Sequence, residues 1–226
     1  MDISEYILQT PWDSRVFGFD TFEIVYKSEE VFKSVFKAIQ PGHYTVKIDP
    51  LSSKKVLHEY GFYYCDTLIE PYCNPNSFVE YVKPGIQISK LVSIDDLTKI
   101  SHGAFTHGRF HKDFNLDRNQ ADLRYDLWLK ELCNSQNVFG LMSDGRIAGF
   151  WGCVKNKIVL HALSEEYRGR GMAKYFWSVA CQELFSHGYQ ELTSSISASN
   201  ISVLNLYSSL GFKFRNTVDV YHILVK

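Results

Sequence analysis

The sequence predicts an α/β fold with a mixed, partly antiparallel sheet. The first observation is that hydrophobic periods typical of helices and of strands alternate along most of the chain. The second is an expected antiparallel three-strand meander over 138–163, where Asp144-Gly145 and Asn156 mark turns between apolar runs. The third is the return to alternating helices and strands after the meander, which indicates a sheet covered by helices.

The first part of the chain is predicted to form a small N-terminal α/β domain. Pro84-Gly85 marks its end, so the expected domains are 1–84 and 85–226. Its expected strands are 22–26, 44–48 and 62–72, and its expected helices are 29–39 and 52–60.

Part of the predicted N-terminal domain weakly resembles part of the second domain. A strand and a short helix lead into Tyr60-Gly61-Phe62, and a comparable order leads into Leu210-Gly211-Phe212. Junctions of helix, glycine and strand are common. A coincidence and a degenerate half-copy of the second domain therefore both stay open as interpretations.

The second domain reads as a regular series of elements. Ser93 and Asp96 form a capping-box-like start for one helix, and Gly188 closes a long one. The expected elements are a strand at 86–91, helices at 93–105 and 119–133, the meander, a helix at 172–187, a strand at 191–197, a helix at 200–210 and one or two strands within 213–225.

Composition excludes several classes of protein. The chain has 226 residues, of which 45% are apolar and 22% are charged, as in an ordinary soluble globular protein. Its 24 basic and 25 acidic side chains nearly cancel, so no overall field favours nucleic acid or a membrane surface. No apolar run is long enough for a membrane span, and residues 1–5 lack the pattern of a secretory signal.

The five cysteines are scattered along the chain, and none forms a C-x-x-C pair. Reduced, buried thiols are therefore expected, with no disulfide framework and no metal site. This usage of cysteine is typical of a cytoplasmic protein. The sequence gives no oligomeric state, and a homodimer is compatible with it.

A glycine-rich loop after the meander is the strongest functional signal. The run from Tyr167 to Ala173 lies where the last strand of the meander passes into the long helix. Gly169 and Gly171 let the backbone approach a ligand closely, and the helix N terminus adds unsatisfied N–H groups and a favourable dipole. Arg168 and Arg170 add positive charge for anionic oxygens. These residues predict a diphosphate-binding loop.

Three phosphate-binding motifs compete for this loop. A P-loop requires G-x-x-x-x-G-K-S/T, which the chain lacks. A dinucleotide fingerprint requires glycine or alanine where this chain has Lys174, and Glu191 begins a strand instead of ending one. The third pattern, Q/R-x-x-G-x-G/A, is satisfied by Arg168, Gly171 and Ala173. The position of the loop between a meander and a helix favours this third motif.

With these residues the sequence resembles the GNAT superfamily of acyl-CoA-dependent N-acyltransferases over residues 86–226. The resemblance implies a GNAT fold, in which two central strands splay apart and acetyl-CoA or another short acyl-CoA enters the gap as co-substrate. Leu163 would bond the pantetheine arm or the acyl carbonyl, and Asn200, which also fits a plain helix N-cap, would contact CoA. The pyrophosphate would lie on Arg168, Gly169, Arg170, Gly171, Met172 and Ala173.

Tyr207 is the residue to which the resemblance assigns proton donation. It shares a helix face with Val203 and Leu210, which also fits a plain core tyrosine. GNAT enzymes commonly have a tyrosine at this place before a Gly-Phe pair, here Gly211-Phe212, and its hydroxyl would protonate the departing thiolate. The amine would attack the thioester directly, through a tetrahedral intermediate whose oxyanion needs backbone donors.

A general base is also expected, because the attacking amine must lose a proton. His161 lies on the strand beside the acyl site, and His107 and His111 lie in a polar stretch. Histidine titrates near neutral pH, which suits this role. The expected catalytic pair is Tyr207 with His161, while a buried core histidine and a water relay are the alternatives.

A polar, aromatic and basic stretch predicts the acceptor site. Arg109 and Lys112 can neutralise a second diphosphate, and Phe110 or Trp128 can stack on a base or a sugar. An exposed, mobile basic loop with one anchoring aromatic residue is the alternative interpretation. The residues expected to bind the acceptor are His107, Arg109, Phe110, His111, Lys112, Tyr125 and Trp128.

The same stretch, together with Trp12-Asp13-Ser14-Arg15-Val16-Phe17-Gly18, resembles bacterial sugar-nucleotide N-acyltransferases related to TDP-fucosamine acetyltransferase. This implies transfer of an acetyl or short hydroxyacyl group to a TDP-linked amino-deoxysugar, for surface polysaccharide synthesis such as that of O-antigen and lipopolysaccharide. A GNAT enzyme acting on a protein N-terminus, a polyamine or an antibiotic is an alternative. A non-catalytic acyl-CoA-binding domain is another.

Overall fold

The structure, a computed structural model, describes residues 3–226. Of residues 1–5, in which no secretory signal was expected, the first two therefore lie outside the described residues. Its helices are α1 (Pro11–Phe17), α2 (Glu29–Phe36), α3 (Lys55–Glu59), α4 (Ile94–Ser101), α5 (Arg109–Lys112), α6 (Arg118–Asn134), α7 (Ala173–Ser186) and α8 (Ile201–Ser209). Its strands are β1 (Ile7–Gln9), β2 (Thr21–Ile24), β3 (Gly42–Ile48), β4 (Tyr63–Cys73), β5 (Ile86–Ser89), β6 (Val138–Ser143), β7 (Arg146–Val154), β8 (Lys157–Leu163), β9 (Leu192–Ser194), β10 (Ile196–Ser197) and β11 (Lys213–Val225).

The chain forms two compact units that differ from the predicted domains 1–84 and 85–226. Two later segments pack with the N-terminal residues, because the end of β11 pairs with β3 and the segment around α5 is held by buried polar contacts described below. Unit 1 comprises Met1–Leu68, Thr106–Arg124 and Thr217–Lys226, and unit 2 comprises Ile69–Phe105 and Tyr125–Asn216.

Unit 1 has the strand order β1-β2-β3-β11. Strands β2 and β3 are parallel, and β11 runs antiparallel to β3. Helix α2 begins at the N-cap Ser28, whose side chain accepts from the N–H of Val31, and buries Phe32 and Val35 in the core of this unit. The sequence missed α1, although Pro11 at its first turn and Gly18 at its C-cap, with φ 77°, are the usual signals of a short helix.

Unit 2 has the strand order β4-β9-β8-β7-β6-β5. The predicted meander is confirmed: β6, β7 and β8 pair antiparallel in sequence. The hairpin between β6 and β7 turns through Asp144 and Gly145, which both have positive φ, at 48° and 77°. The predicted helices over 172–187 and 200–210 are confirmed as α7 and α8, which begin and end within one residue of those bounds.

The mixed α/β sheet expected from the sequence is therefore confirmed, with β2–β3 and β8–β9 as parallel pairs beside antiparallel ones. The predicted strand over 191–197 is interrupted, because it divides into β9 and β10. Among the described residues, no helix combines the length and the apolar character needed to cross a membrane.

Candidate active site

Strands β8 and β9 pair over only a small part of β8. They run parallel and are in register at Lys157↔Thr193 and Ile158↔Ser194. Beyond Ile158, β8 continues to Leu163 beside β7, whereas β9 ends at Ser194 and β10 pairs with β4. The two strands therefore part at their carboxyl ends, where open α/β sheets bind ligands.

The glycine-rich loop connects the end of β8 to α7. Gly169 and Gly171 have φ of 70° and 67°, a left-handed conformation that other residues adopt at a cost. No heavy atom lies within 4 Å of where a Cβ would stand at either glycine, so the surface of the loop is open. Among the described residues, the N–H groups of 169–172 donate to no backbone carbonyl. The loop thus offers unsatisfied donors beside the N terminus of a fourteen-residue helix, which favours an anion.

Arg168 and Asn200 have structural roles in this part of unit 2. The Nε of Arg168 donates to the carbonyl oxygen of Leu163 at 2.6 Å, which ties the loop to the end of β8. Asn200 is the N-cap of α8, and its side chain accepts from the N–H of Val203 at 3.3 Å. Arg170 is exposed. The contacts of these residues with CoA stay a prediction.

The loop predicts a selective effect on acyl-CoA binding. Gly171→Ala is expected to raise the KM for acyl-CoA about 5- to 10-fold, because a left-handed residue with a Cβ costs about 1–2 kcal/mol and the loop relaxes away from the anion-binding conformation. Gly188→Ala is a matched control, since Gly188 has φ 88° and open space but lies beyond the other end of α7. An equal rise in KM in both variants, measured by steady-state thiol release, would argue against the loop as the binding site.

His161 and Tyr207 are brought together within unit 2. The Tyr207 hydroxyl lies 3.2 Å from Nε2 of His161, which joins β8 to α8. Tyr207 is fully buried, at 0% exposure, whereas His161 is partly exposed. The indole of Trp177 packs edge-on to the imidazole, with ring centroids 4.8 Å apart. The sequence did not single out Trp177, because nothing in its position on an apolar helix distinguishes it from core residues.

Burial sets the protonation of this pair. Burial lowers the pKa of His161 to about 4, and a hydrogen bond with the backbone of His161 itself raises this pKa by a smaller amount. Burial raises the pKa of the Tyr207 phenol above the usual value, while nearby polar groups of Ser194 and Trp177 act in the opposite sense. Both groups are therefore neutral near pH 7, and the imidazole can accept a proton.

The predicted acceptor residues lie in both units. His107 to Lys112 belong to unit 1, where His107 is exposed and the next residues form the short helix α5. Phe110 is buried at 4% exposure and packs on Phe17 with ring centroids 5.5 Å apart, so its face is not open for stacking. The guanidinium of Arg109 lies over the Phe110 ring.

Lys112 and His111 of this stretch are paired with acidic residues of unit 1. Nζ of Lys112 donates to the buried carboxylate of Asp66 at 2.6 Å. Nε2 of His111 lies 3.0 Å from Oδ1 of Asp122. Of the alternative interpretation, the exposed, mobile loop is wrong for 109–112, because a helical turn and buried partners hold this segment, whereas Phe110 is a buried aromatic residue as that interpretation expected.

Asp113, which the sequence analysis did not assign, is the centre of a buried network in unit 1. Its Oδ2 lies 2.8 Å from Nε2 of His43 and 2.7 Å from Nδ1 of His222. Its Oδ1 accepts from the Tyr63 hydroxyl at 2.8 Å and from the N–H of Asn115 at 2.9 Å. Although His43, Asp113 and His222 bring their ligand atoms within 4.8 Å, these hydrogen bonds occupy both carboxylate oxygens and account for the cluster.

Tyr125 and Trp128 belong to unit 2, where they lie on α6. The ring of Tyr125 stacks on Phe105 at 4.6 Å between centroids, and both α6 residues are partly buried against an apolar cluster that includes Leu129 and Phe150. The five cysteines are free thiols, as expected, and four of them are buried.

The acetyltransferase (GNAT) family model matches residues 99–212. A GCN5-related N-acetyltransferase from Sphaerobacter thermophilus is similar in structure, with a TM-score of 0.63 and 12% identity over 97% of this chain and 76% of that one.

Two further solved structures show the same fold. A tandem GNAT protein from the clavulanic acid biosynthesis pathway has a TM-score of 0.53 and 11% identity, over 87% of this chain and 68% of that one. An acetyltransferase from Novosphingobium aromaticivorans, described as belonging to the same family, has a TM-score of 0.53 and 16% identity, over 91% and 84%. No curated protein matches the sequence.

Proposed function

Because the chain belongs to the acetyltransferase (GNAT) family, we propose that it transfers an acyl group from acyl-CoA to an amine in the gap between β8 and β9. The observation that supports this most directly is the parting of these strands after Ile158↔Ser194. The loop at 169–172, with its open N–H groups, follows β8 in the chain. Strand β8 also carries His161. Acetyl-CoA or another short acyl-CoA would bind there as co-substrate.

His161 and Tyr207 would manage the protons of this reaction. The neutral imidazole takes the proton that the amine loses, and the phenol supplies a proton for the departing thiolate. The amide forms as the nitrogen–carbon bond closes and the carbon–sulfur bond breaks. No side chain forms a covalent intermediate, so the buried cysteines are not required. Holding both substrates in one gap contributes to the rate by fixing their orientation.

The proposed acceptor is the amine of a TDP-linked amino-deoxysugar, with the product used in surface polysaccharide synthesis. The support for it is the sequence resemblance over 104–113 and 125–128 to sugar-nucleotide N-acyltransferases. His107 in unit 1 is exposed, and Trp128 in unit 2 is partly exposed. Residues 107–112 themselves carry no acidic side chain of the kind that a cationic polyamine would favour, although Lys112 and His111 pair with Asp66 and Asp122.

A thiol-release screen tests the acceptor. Acetyl-CoA and short hydroxyacyl-CoAs are paired with 3-amino and 4-amino TDP-sugars, a peptide with a free N-terminus, spermidine and an aminoglycoside. We expect the highest kcat/KM with a TDP-amino sugar, and no release with the corresponding TDP-sugar that carries a hydroxyl in place of the amine. Turnover of the peptide or the polyamine without turnover of any amino sugar would reverse this assignment. Binding of acyl-CoA without release in any pairing would indicate a non-catalytic domain.

A further inference from the structure

Two lysines of unit 2 lie beside the glycine-rich loop. Lys174 is the second residue of α7, directly after the loop. Lys83 belongs to the segment before β5, and its Nζ lies 3.1 Å from Sδ of Met172, the N-cap of α7. One lysine therefore adjoins the loop along the chain, and the other reaches it across space. Lys83 lies outside the residues that the family model matches, so the shared family motif does not account for this contact.

Two tyrosine rings hold the ammonium groups of these lysines. Nζ of Lys174 lies 4.4 Å from the ring centroid of Tyr81 and 5.2 Å from that of Tyr175. Nζ of Lys83 lies 5.7 Å from the same Tyr175 ring. The attraction between an ammonium and an aromatic ring therefore keeps both side chains near one ring instead of extended into water.

Tyr81 is anchored to the two helices of unit 2 that follow the loop. Its backbone N–H donates to Oγ of Ser178 on α7 at 2.9 Å, and Ser178 is fully buried. Its hydroxyl donates to the carbonyl oxygen of Ser209 on α8 at 3.3 Å. These bonds fix the segment before β5 against α7, so the position of Lys83 beside the loop is set by the fold of this unit.

The two lysines have no acidic partner within the described part of the chain. Neither Lys83 nor Lys174 forms an ion pair there, and the exposed Arg170 of the loop adds a further positive charge. Like charges held around one ring repel each other, and an anion placed between them offsets that repulsion. The open N–H groups of the loop already suit the pyrophosphate of the proposed acyl-CoA. The lysines therefore indicate a second anionic group next to the pyrophosphate.

We propose that Lys83 and Lys174 bind the ribose 3′-phosphate of acyl-CoA and so determine the specificity for this donor. The inference rests on the proposed binding of acyl-CoA at the loop. In CoA the 3′-phosphate is carried by the ribose that is attached to the pyrophosphate, so the two anionic groups are only a few bonds apart. A phosphate monoester carries a charge of about −1.5 to −2 at pH 7, which two ammonium groups match.

The lysine pair then selects the form in which the acyl group is delivered. Free CoA has the 3′-phosphate, whereas a phosphopantetheine arm attached to a carrier protein has one phosphodiester and no ribose. A donor of the second kind leaves both lysines without an anion. The enzyme therefore discriminates in favour of acyl-CoA and against acyl groups that a carrier protein holds.

Isothermal titration with two ligands measures the contribution of the 3′-phosphate without turnover. Acetyl-CoA and acetyl-3′-dephospho-CoA differ in this group alone. We expect the dephospho compound to bind the wild type about 10- to 50-fold more weakly, because charge-assisted hydrogen bonds are lost. Lys83→Ala and Lys174→Ala should each raise the Kd for acetyl-CoA about 3- to 7-fold and leave the Kd for the dephospho compound unchanged. A merely structural role of the lysines would change both Kd values alike.

Lys90→Ala is the matched control for these variants. Lys90 is also an exposed lysine over an aromatic ring, with Nζ 5.4 Å from the centroid of Phe139, but Phe139 lies on β6, two strands away from β8. This variant should bind both ligands as the wild type does. Lys83→Arg and Lys174→Arg keep the positive charge and should retain most of the preference for acetyl-CoA. High salt should reduce the preference, because exposed charges are screened.

The results separate this inference from the proposed function. Equal affinities of the wild type for the two ligands would overturn the inference, while binding of acyl-CoA at the loop stands. A preference for acetyl-CoA that persists when both lysines are replaced by alanine would also refute it. If the lysines control the preference but no amine is acylated, the inference stands and the proposed transfer fails. If neither ligand binds and no thiol is released, both fail.

Discussion

Replacing Asp113 with alanine is expected to lower the free energy of unfolding by about 3–5 kcal/mol, because several buried donors lose their acceptor and each costs about 1–3 kcal/mol when left unsatisfied. The side chain of Asp113 is fully buried, as is that of His222, and that of His43 is 3% exposed. Without the carboxylate, the two imidazole donors and the Tyr63 hydroxyl lose their common acceptor in a site that water does not reach.

Equilibrium unfolding in urea at pH 7 measures this effect. Asp95→Ala is the matched control, because Asp95 is an exposed carboxylate in the first turn of α4 and its loss should cost less than about 0.5 kcal/mol. A similar small change in both variants would mean that the network does not hold the 106–124 segment in unit 1. The same variant therefore tests whether the predicted acceptor stretch depends on its attachment to the N-terminal strands.

Acid is expected to unfold the protein through His222. Burial lowers the pKa of His222 from 6.5 to about 3, although the hydrogen bond to Asp113 acts in the opposite sense. Burial alone would raise the pKa of Asp113, but the hydrogen bonds from His222 and His43 outweigh it and hold that pKa below its usual range. The network at neutral pH is thus a carboxylate with a neutral His222.

The sign of the pH dependence follows from these shifts. Between pH 6.5 and about 3, the unfolded chain binds a proton at His222 that the folded chain does not. The contribution of the neutral His222 to the free energy of unfolding is therefore fully present above pH 6.5. This contribution decreases as the pH is lowered, by about 1.4 kcal/mol per pH unit.

Urea unfolding at pH 6.0 and pH 5.0 measures the slope. In His222→Gln the slope should decrease by about 1.4 kcal/mol per pH unit. His161, whose pKa is also lowered, contributes to the slope that remains. His187→Gln is the control, because His187 is 48% exposed and should leave the slope unchanged. An unaltered slope in His222→Gln would show that His222 is already charged in the folded protein.

The sequence by itself determined the parts of this protein that local chemistry encodes. The meander follows from Asp144-Gly145, because few residue pairs tolerate the positive φ that a tight hairpin needs. Helices α7 and α8 follow from their apolar spacing and from Gly188 and Gly211 at their ends. The glycine-rich loop was equally visible, because its glycines and the helix start are adjacent in the chain.

Only the tertiary structure decided which distant residues form hydrogen bonds with one another and how deeply each of them is buried. Asp113 meets His43 and His222 across separations of 70 and 109 residues, which no periodicity reveals. For this reason a stretch that was predicted to bind the acceptor contributes to the interior of unit 1. His161 and Tyr207 are 46 residues apart, and burial gives each a different accessibility. Composition identifies which residues can do acid–base chemistry, whereas packing decides which of them a substrate can reach.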